Sequence, residues 1–221
     1  VQDYTKAVYA LEARADAPVS TTELAERLGV TAGSASAMVR KLAELGLVEH
    51  EPYRGVRLTD SGRRVALEVL RHHRLLETFL ATELGMSWDR VHAEAEVLEH
   101  VISEDLEALI AAHLGNPTLD PHGDPIPTAE FDIEERPTRR LDDLPVGAVG
   151  RFVRVSDSDP DMLRYLSDQG IAPGSRLEVV ERQPFGGPLT ARFGEQRHTL
   201  GGRLAQAMRV ELEAVAVEDA P

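Results

Sequence analysis

Cysteine is absent from the 221 residues, which excludes disulfide scaffolds, thiolate zinc sites and cysteine nucleophiles. No apolar run is long enough to span a bilayer, so no membrane partner is expected. Val1 through Lys6 carry no basic segment leading into an apolar stretch, so no secretory leader is expected and a cytoplasmic location fits. Internal repeats and low-complexity tracts are lacking. So are a Gly-rich phosphate loop, the His-Glu-x-x-His hydrolase pattern and a Ser–His–Asp elbow, which leaves little for an enzyme reading. Basic residues are missing altogether between Val91 and Glu135, where twelve carboxylates fall. Such a block either repels itself into disorder or collects cations.

What is present is a globular composition, 42% hydrophobic and 28% charged, in a length suited to one large or two to three small domains. The net charge of -14 argues against a nucleic-acid partner only as an average. Residues 1–65 hold nine Lys/Arg and nine Asp/Glu, residues 66–136 four against sixteen, and residues 137–221 eleven against thirteen. The middle segment therefore carries nearly all the excess.

The first segment reads as three helices and a hairpin. Tyr4, Val8 and Leu11 recur at helical spacing, and Ser20 with Glu23 has the spacing of a capping box for a second helix that stops at Leu28-Gly29. A third helix is predicted from Thr31 or a neighbour to Gly46, and strands at 47–50 and 56–59 flank a turn at Pro52-Tyr53-Arg54-Gly55. That order is a winged helix-turn-helix, whose third helix enters the major groove. Thr31, Gly33, Ser34, Ser36 and Ala37 are small enough for close approach to a duplex, and hydroxyls and helix-start amides can bond phosphates. Arg40 and Lys41 follow, Arg54 sits at the hairpin tip, and residues 27–64 carry seven basic against four acidic side chains. The same elements also fit a small helical interaction module without nucleic acid. No long side chain is placed for bidentate base readout, so specificity would rest on thymine methyls and DNA shape.

Two further helices are predicted, at 62–84 and 88–114, followed by an irregular stretch over 115–138 with five prolines. Short β-type runs at 151–155, 176–180 and 189–193, with one helix near 160–170, suggest a small β-barrel. The modules are therefore 1–64, 65–138 and 139–221. On the helix predicted from 88, His92, Glu96, Glu99 and His100 fall within an arc of about 100° beside the apolar stripe of Val91, Ala95, Leu98 and Ile102. His73 and Glu77, four apart, share a face of the preceding helix. Imidazoles and carboxylates so gathered suit a divalent first-row metal. A solvated helix face is the alternative. Against it, no Lys or Arg lies within four residues of Glu96, Glu99 or His100, and unpaired carboxylates beside a core are costly. A His/Glu metalloenzyme site is a distant alternative.

Taken jointly, Asp3-Tyr4, Tyr53-Arg54-Gly55, His73-Arg74-Leu75-Leu76-Glu77, His92 through His100-Val101 and Pro121-His122-Gly123-Asp124-Pro125-Ile126-Pro127 resemble the diphtheria toxin repressor family of metal-dependent transcription repressors, in its manganese-sensing branch. The likeness runs over nearly the whole chain, and the part after 138 resembles the SH3-like, ferrous-transport-A-type domain of longer members. It implies a mainly α protein with small β: a winged helix-turn-helix, a helical dimerisation and metal-binding domain, and an SH3-like β-barrel. It implies a homodimer joined through the middle helices, with one winged helix per half-site of double-stranded operator DNA, controlling metal-ion homeostasis genes.

The resemblance further implies a primary metal site of Asp3, Glu96, Glu99 and His100. It implies an ancillary site of His73, Glu77 and His92, completed from the third domain by Asp159, with Asp161 the competing choice. Thr31, Gly33 and Ala37 would face bases, and Ser34, Ser36 and Lys41 phosphates. Iron-sensing members have methionine and cysteine where this chain has Asp3 and Glu96; the two oxygen ligands favour Mn(II), with Fe(II) the alternative. Short manganese sensors carry a glutamate where this chain has Lys6, which removes their closely spaced two-metal site. Asp3 facing Glu96 and Glu99 is repulsive without metal, so the first helix is expected to be free to move. A carboxylate stripe without basic partners argues against an anionic effector, and no small organic ligand is expected.

Overall fold

The computed structural model describes residues 1–15, 17–51 and 54–213; Pro52 and Tyr53 of the wing turn, and residues 214–221 of the third module, lie outside them. The first module comprises α1 (Gln2–Ala15), α2 (Thr21–Leu28), α3 (Ala32–Glu44) and a hairpin of β1 (Val48–Glu51) and β2 (Gly55–Leu58). The capping box at α2 forms: Ser20 Oγ accepts the Glu23 N–H at 3.1 Å, and the Glu23 carboxylate accepts the Ser20 N–H at 2.9 Å. Thr31 caps α3 in the same way, accepting the Ser34 N–H at 3.1 Å. The antiparallel register sets Val48 opposite Leu58 and Glu51 opposite Gly55. Val8, Leu24, Val39, Leu42 and Val56 are fully buried in one core, each contributing roughly 1.5–3 kcal/mol by leaving water.

The spine of the molecule is α4 (Asp60–Thr82), which runs unbroken across residue 64 and packs on α1, α5 (Trp88–Leu98) and α6 (Glu104–His113). Its start fits under the hairpin because Gly62 has no side chain: a Cβ there would lie 1.8 Å from the Leu47 carbonyl oxygen. Along its core side α4 buries His72, His73 and Glu77 among Leu75, Leu76 and Leu80. The single helix predicted over 88–114 is in fact two. The first ends at Glu99, and Ser103 starts the second by accepting the Leu106 N–H, with Glu104, Asp105 and Glu107 in the first turn complementing the helix dipole. His100 therefore sits in a turn rather than on a helical arc.

Residues 115–138 contain no helix or strand beyond an isolated Leu119–Pro125 bridge, as the prolines dictate. The Asp120 carboxylate accepts the N–H groups of His122 at 2.8 Å and Asp124 at 2.9 Å. Arg71 donates to the Pro127 carbonyl at 2.6 Å and Arg74 to that of Pro125, so two guanidinium groups clip this connector along α4. Beyond it lie β3 (Arg139–Arg140), a 3₁₀ turn (Leu141–Asp143), β4 (Val149–Val155), α7 (Pro160–Asp168), β5 (Arg176–Arg182), β6 (Leu189–Phe193), β7 (Gln196–Leu200), α8 (Gly202–Ala207) and β8 (Met208–Leu212). The six strands form one antiparallel sheet in the order β3-β8-β4-β5-β6-β7 around a core that includes Phe152, Leu166, Leu177 and Met208. Trp88 of α5 packs against that core, so the third module is seated on the second. Among the described residues no helix is long and apolar enough to cross a membrane.

Candidate metal centre and nucleic-acid interface

Glu99, the residue at which α5 ends, has a fully buried side chain, and the groups that neutralise it come from two other helices. Lys6 of α1 donates to Glu99 Oε1 at 2.6 Å, to Glu99 Oε2 at 2.9 Å and to Glu96 Oε1 at 2.7 Å. His73 Nδ1 of α4 lies 2.5 Å from Glu99 Oε2. His100 turns the other way: its Nε2 is 2.8 Å from Asp3 Oδ1 and 3.6 Å from Glu99 Oε1, and its Nδ1 is 2.9 Å from Gln2 Oε1. Asp3, Glu99 and His100 thus gather as one group and His73, Glu96 and Glu99 as another, sharing Glu99. The expectation of unpaired carboxylates is corrected here, since Lys6 reaches them from ninety residues away. The expectation of a loose first helix is corrected with it, because Lys6–Glu99 and Asp3–His100 both tie α1 to the α5 end.

A second cluster adjoins the first. Glu77 Oε1 lies 3.1 Å from His73 Nε2 and 3.3 Å from His92 Nδ1, and His92 Nδ1 lies 3.1 Å from Asp157 Oδ2. The third-domain carboxylate at this cluster is Asp157, not Asp159 or Asp161. Asp159 is spent as the cap of α7, accepting the Met162 N–H at 3.2 Å and pairing with Arg203 at 3.0 Å. Asp161 is exposed and pairs with Arg164 at 2.8 Å.

The other face of Glu77 meets Asp120 and His122, which form a third buried group with it. His122 Nε2 lies 2.8 Å from the Trp88 carbonyl, which can only accept, so this nitrogen carries a proton. Burial would lower the His122 ring, but Glu77 and Asp120 lift it to about 9, so Nδ1 carries a proton as well; it faces Glu77 Oε2 at 3.7 Å, too far for a hydrogen bond, and neither buried atom has a hydrogen-bond partner. A buried carboxylate oxygen and a ring nitrogen without hydrogen bonds are free to take a cation in place of that proton.

The titration behaviour has the same origin. Burial by itself would lower His73, but hydrogen bonds to Glu77 and Glu99 lift it to about 9. The bond to Asp157, then that to Glu77, lifts His92 to about 10. Burial would raise Glu77, yet its contacts with His122, His73 and His92 hold it far below the usual carboxylate range. Burial, then the charges of Asp124 and Glu77, pushes Asp120 up. Protons here balance the carboxylates, and a divalent cation binding the same atoms has to release them.

His72 points away from this centre. Its Nε2 is 2.9 Å from Glu107 Oε2, poorly aligned for a hydrogen bond, while Arg71 donates to Glu107 Oε1 at 2.6 Å. Burial would raise the Glu107 carboxyl, but His72 and Arg71 outweigh it and depress it. Burial would lower His72, but Glu107 overrides it and raises the ring. A depressed carboxyl contributes stability above its unfolded value of 4.5 and loses it as pH falls. A raised imidazole contributes below its unfolded value of 6.5 and loses it as pH rises through the folded value. Urea melts should therefore show Glu107→Gln costing most stability at about pH 5–6, with the gap from wild type narrowing toward about pH 3 and again in alkali.

In the first module Thr31, Gly33, Ser34, Ala37, Arg40 and Lys41 are exposed and Ser36 half-buried, while Ala35, Val39 and Leu42 point into the core. The Thr31 and Ser34 hydroxyls are 2.9 Å apart and engage each other at the helix start. Among the described residues no ion pair involves Arg40 or Lys41, whereas Arg54 pairs with exposed Glu51 at 3.2 Å. One face of α3 thus presents small polar groups followed by two unspent cations.

Comparison with known proteins covers all three modules. Residues 1–56 match the family described as iron dependent repressor, N-terminal DNA binding domain. Residues 59–128 match iron dependent repressor, metal binding and dimerisation domain, and residues 139–212 match the FeoA domain. The iron-dependent repressor IdeR of Mycobacterium tuberculosis is 34% identical over 220 residues, covering 94% of this chain and 95% of that protein. The diphtheria toxin repressor of Corynebacterium diphtheriae is 30% identical over 220 residues, with 94% and 95% coverage. A solved structure titled as a manganese-dependent transcriptional repressor in complex with manganese superposes with a TM-score of 0.90 at 48% identity, over 96% of this chain and 99% of that one.

Proposed function

The chain belongs to the iron-dependent repressor family and is a metal-dependent transcriptional repressor, and on that premise we propose that manganese is its activating ion, with iron the competing reading. One observation carries the choice: the side chains gathered at the α1–α5 junction offer only oxygen and imidazole nitrogen, with no sulfur. Hard donors of this kind suit Mn(II) better than softer competitors. The likeness to a manganese-dependent repressor at 48% identity supports it, and the likeness to an iron-dependent one at 34% keeps iron in view.

We assign Asp3, Glu96, Glu99 and His100 to the primary site, and His73, Glu77, His92 and Asp157 to the ancillary one, with Asp120 and His122 as the neighbours of Glu77. The orphaned pair Glu77 Oε2 and His122 Nδ1 fits a cation at this centre. When bound, a divalent ion supplies positive charge that carboxylates of two modules can share. Asp3 belongs to α1, whose Ala7 and Val8 are built into the core that also holds α3. Glu96, Glu99 and His100 belong to the second module, where Val97, Val101, Leu106 and Leu109 are 49–76% exposed on α5, α6 and the turn between them. Such an apolar surface suits a homodimer contact. In a dimer, holding α1 against the α5 end sets the two α3 helices at one separation, which a palindromic operator rewards. Linkage then requires operator DNA to tighten metal binding by the same factor. We assign Thr31, Gly33 and Ala37 to base edges, Ser34, Ser36, Arg40 and Lys41 to phosphates, and Arg54 to the backbone beside the wing.

The test is fluorescence anisotropy of duplexes selected from random pools under each metal, with free Mn(II) and Fe(II) buffered and EDTA as the reference. Half-maximal binding is expected at a lower free Mn(II) than Fe(II). The reverse order transfers the assignment to iron, and binding indifferent to metal and EDTA defeats it altogether.

A further inference from the structure

Lys6 stands three residues after Asp3, one helical turn along the same face of α1. Its side chain is 18% exposed, and its ammonium group meets three carboxylate oxygens, Glu96 Oε1 and both oxygens of Glu99, at 2.6–2.9 Å. An ammonium has three protons and no lone pair, so these contacts use all its donors and it cannot serve as a metal ligand. It lies against the oxygens that the preceding reading assigns to a divalent ion. Two cations cannot share those oxygens at hydrogen-bond and coordination distance without strong repulsion.

We propose that Lys6 is a tethered competitor of the metal: it neutralises Glu96 and Glu99 in the metal-free repressor, must withdraw for loading, and so sets the concentration at which the ion is sensed. The inference rests on the assignment of Glu96 and Glu99 as ligands. Its consequence concerns α1 as well as affinity. With Lys6 engaged, α1 is joined to the buried end of α5 through position 6, a salt bridge to the second module that needs no metal. With Lys6 withdrawn, that contact is lost and the tie rests on position 3, one turn nearer the helix start, where Asp3 already meets His100 at 2.8 Å. Loading therefore moves the attachment of the DNA-reading module onto a contact that is already in place instead of creating the first. Lys6 also explains how a carboxylate as buried as Glu99 persists in the metal-free chain, where an unpaired charge would be severely penalised.

Composition makes the idea directly measurable, because Lys6 and Lys41 are the only lysines in the sequence. In the full-length wild-type protein, an amine-reactive ester followed by peptide mass spectrometry should label exposed Lys41 alike in EDTA and in saturating Mn(II). Lys6 should be protected in EDTA and become reactive with Mn(II). Equal protection of Lys6 in both conditions overturns the proposal. The second readout is calorimetric titration of Lys6→Met, of matched length but uncharged, beside Lys6→Arg, which keeps the charge. Lys6→Met should melt several degrees lower in EDTA and bind Mn(II) with a Kd lower by about 10- to 100-fold, the range set by hydrogen bonds to charged groups, at unchanged stoichiometry. Lys6→Arg should stay near wild type in both. An unchanged or weaker affinity in Lys6→Met overturns the proposal. Should that variant not fold, the labelling of the wild type decides alone. A wild-type protein that takes up no divalent ion defeats the metal assignment itself, before any variant is compared.

Discussion

Glu99→Gln is expected to abolish metal-stimulated operator binding while leaving a folded, more weakly stable protein. The side chain is fully buried and shared by the two groups of candidate ligands at the α1–α5 junction, so no other single residue removes donors from both of these. Glutamine preserves volume and one acceptor oxygen but not the charge that Lys6 and His73 are neutralising. Breaking a buried ion pair by removing one partner costs roughly 3–5 kcal/mol where both charges stay buried. Lys6, with a side chain 18% exposed and Glu96 still within reach, can relax toward water, so the loss should fall below that range. Groups that merely support metal ligands are worth about 10- to 100-fold in affinity, and a shared ligand should exceed the upper figure. Operator anisotropy at fixed Mn(II) and calorimetric metal titration check both parts. Glu94→Gln, an exposed carboxylate on the same helix, serves as the control and should behave as wild type. Normal metal stimulation in Glu99→Gln would remove Glu99 from the site.

What the sequence revealed and what it hid divides along the range of the interaction. The α2 capping box, the Thr31 start of α3, the proline-rich connector and the spacing of His73 with Glu77 are signals contained within a few residues, and each is present in the fold. The break at Glu99–Ser103 was also locally written: Ser103 before Glu104, Asp105 and Glu107 is a helix start, but a continuous apolar stripe masked it. Asp159 before Pro160 is likewise a cap signal, one that commits Asp159 to the helix start and leaves Asp157 to reach His92. Lys6 could not be found this way. A search limited to neighbours within one helical turn misses a cation delivered by packing from α1. Asp120 and His122 belonged to a recognisable connector motif, yet their ligand character depends on how that loop closes over Glu77, which no periodicity encodes.

That closure supplies the second large effect, at Gly123. Its φ is +87°, a left-handed conformation that L side chains adopt only with strain, and a Cβ there would lie 1.8 Å from the Val153 carbonyl oxygen and 3.0 Å from Arg154 Cα. The obstruction is backbone on both counts, so β4 has to move. Immediately before Gly123, the His122 carbonyl accepts the Val155 N–H at 2.9 Å, and two residues beyond Val155 the chain presents Asp157 to His92. Pushing β4 off the connector therefore disturbs His122 and withdraws Asp157 together. Gly123→Ala should lose about 2–5 kcal/mol in urea, combining positive-φ strain with overpacking. It should also require more Mn(II) for half-maximal operator binding, approaching the response of Asp157→Ala. Gly147→Ala separates the two causes: its φ is +85°, but nothing lies within 4 Å of its Cβ position, so it should carry only the strain and leave the metal response unchanged. If Gly123→Ala costs no more than Gly147→Ala, or leaves the metal response intact, the connector does not hold the third module's carboxylate in place.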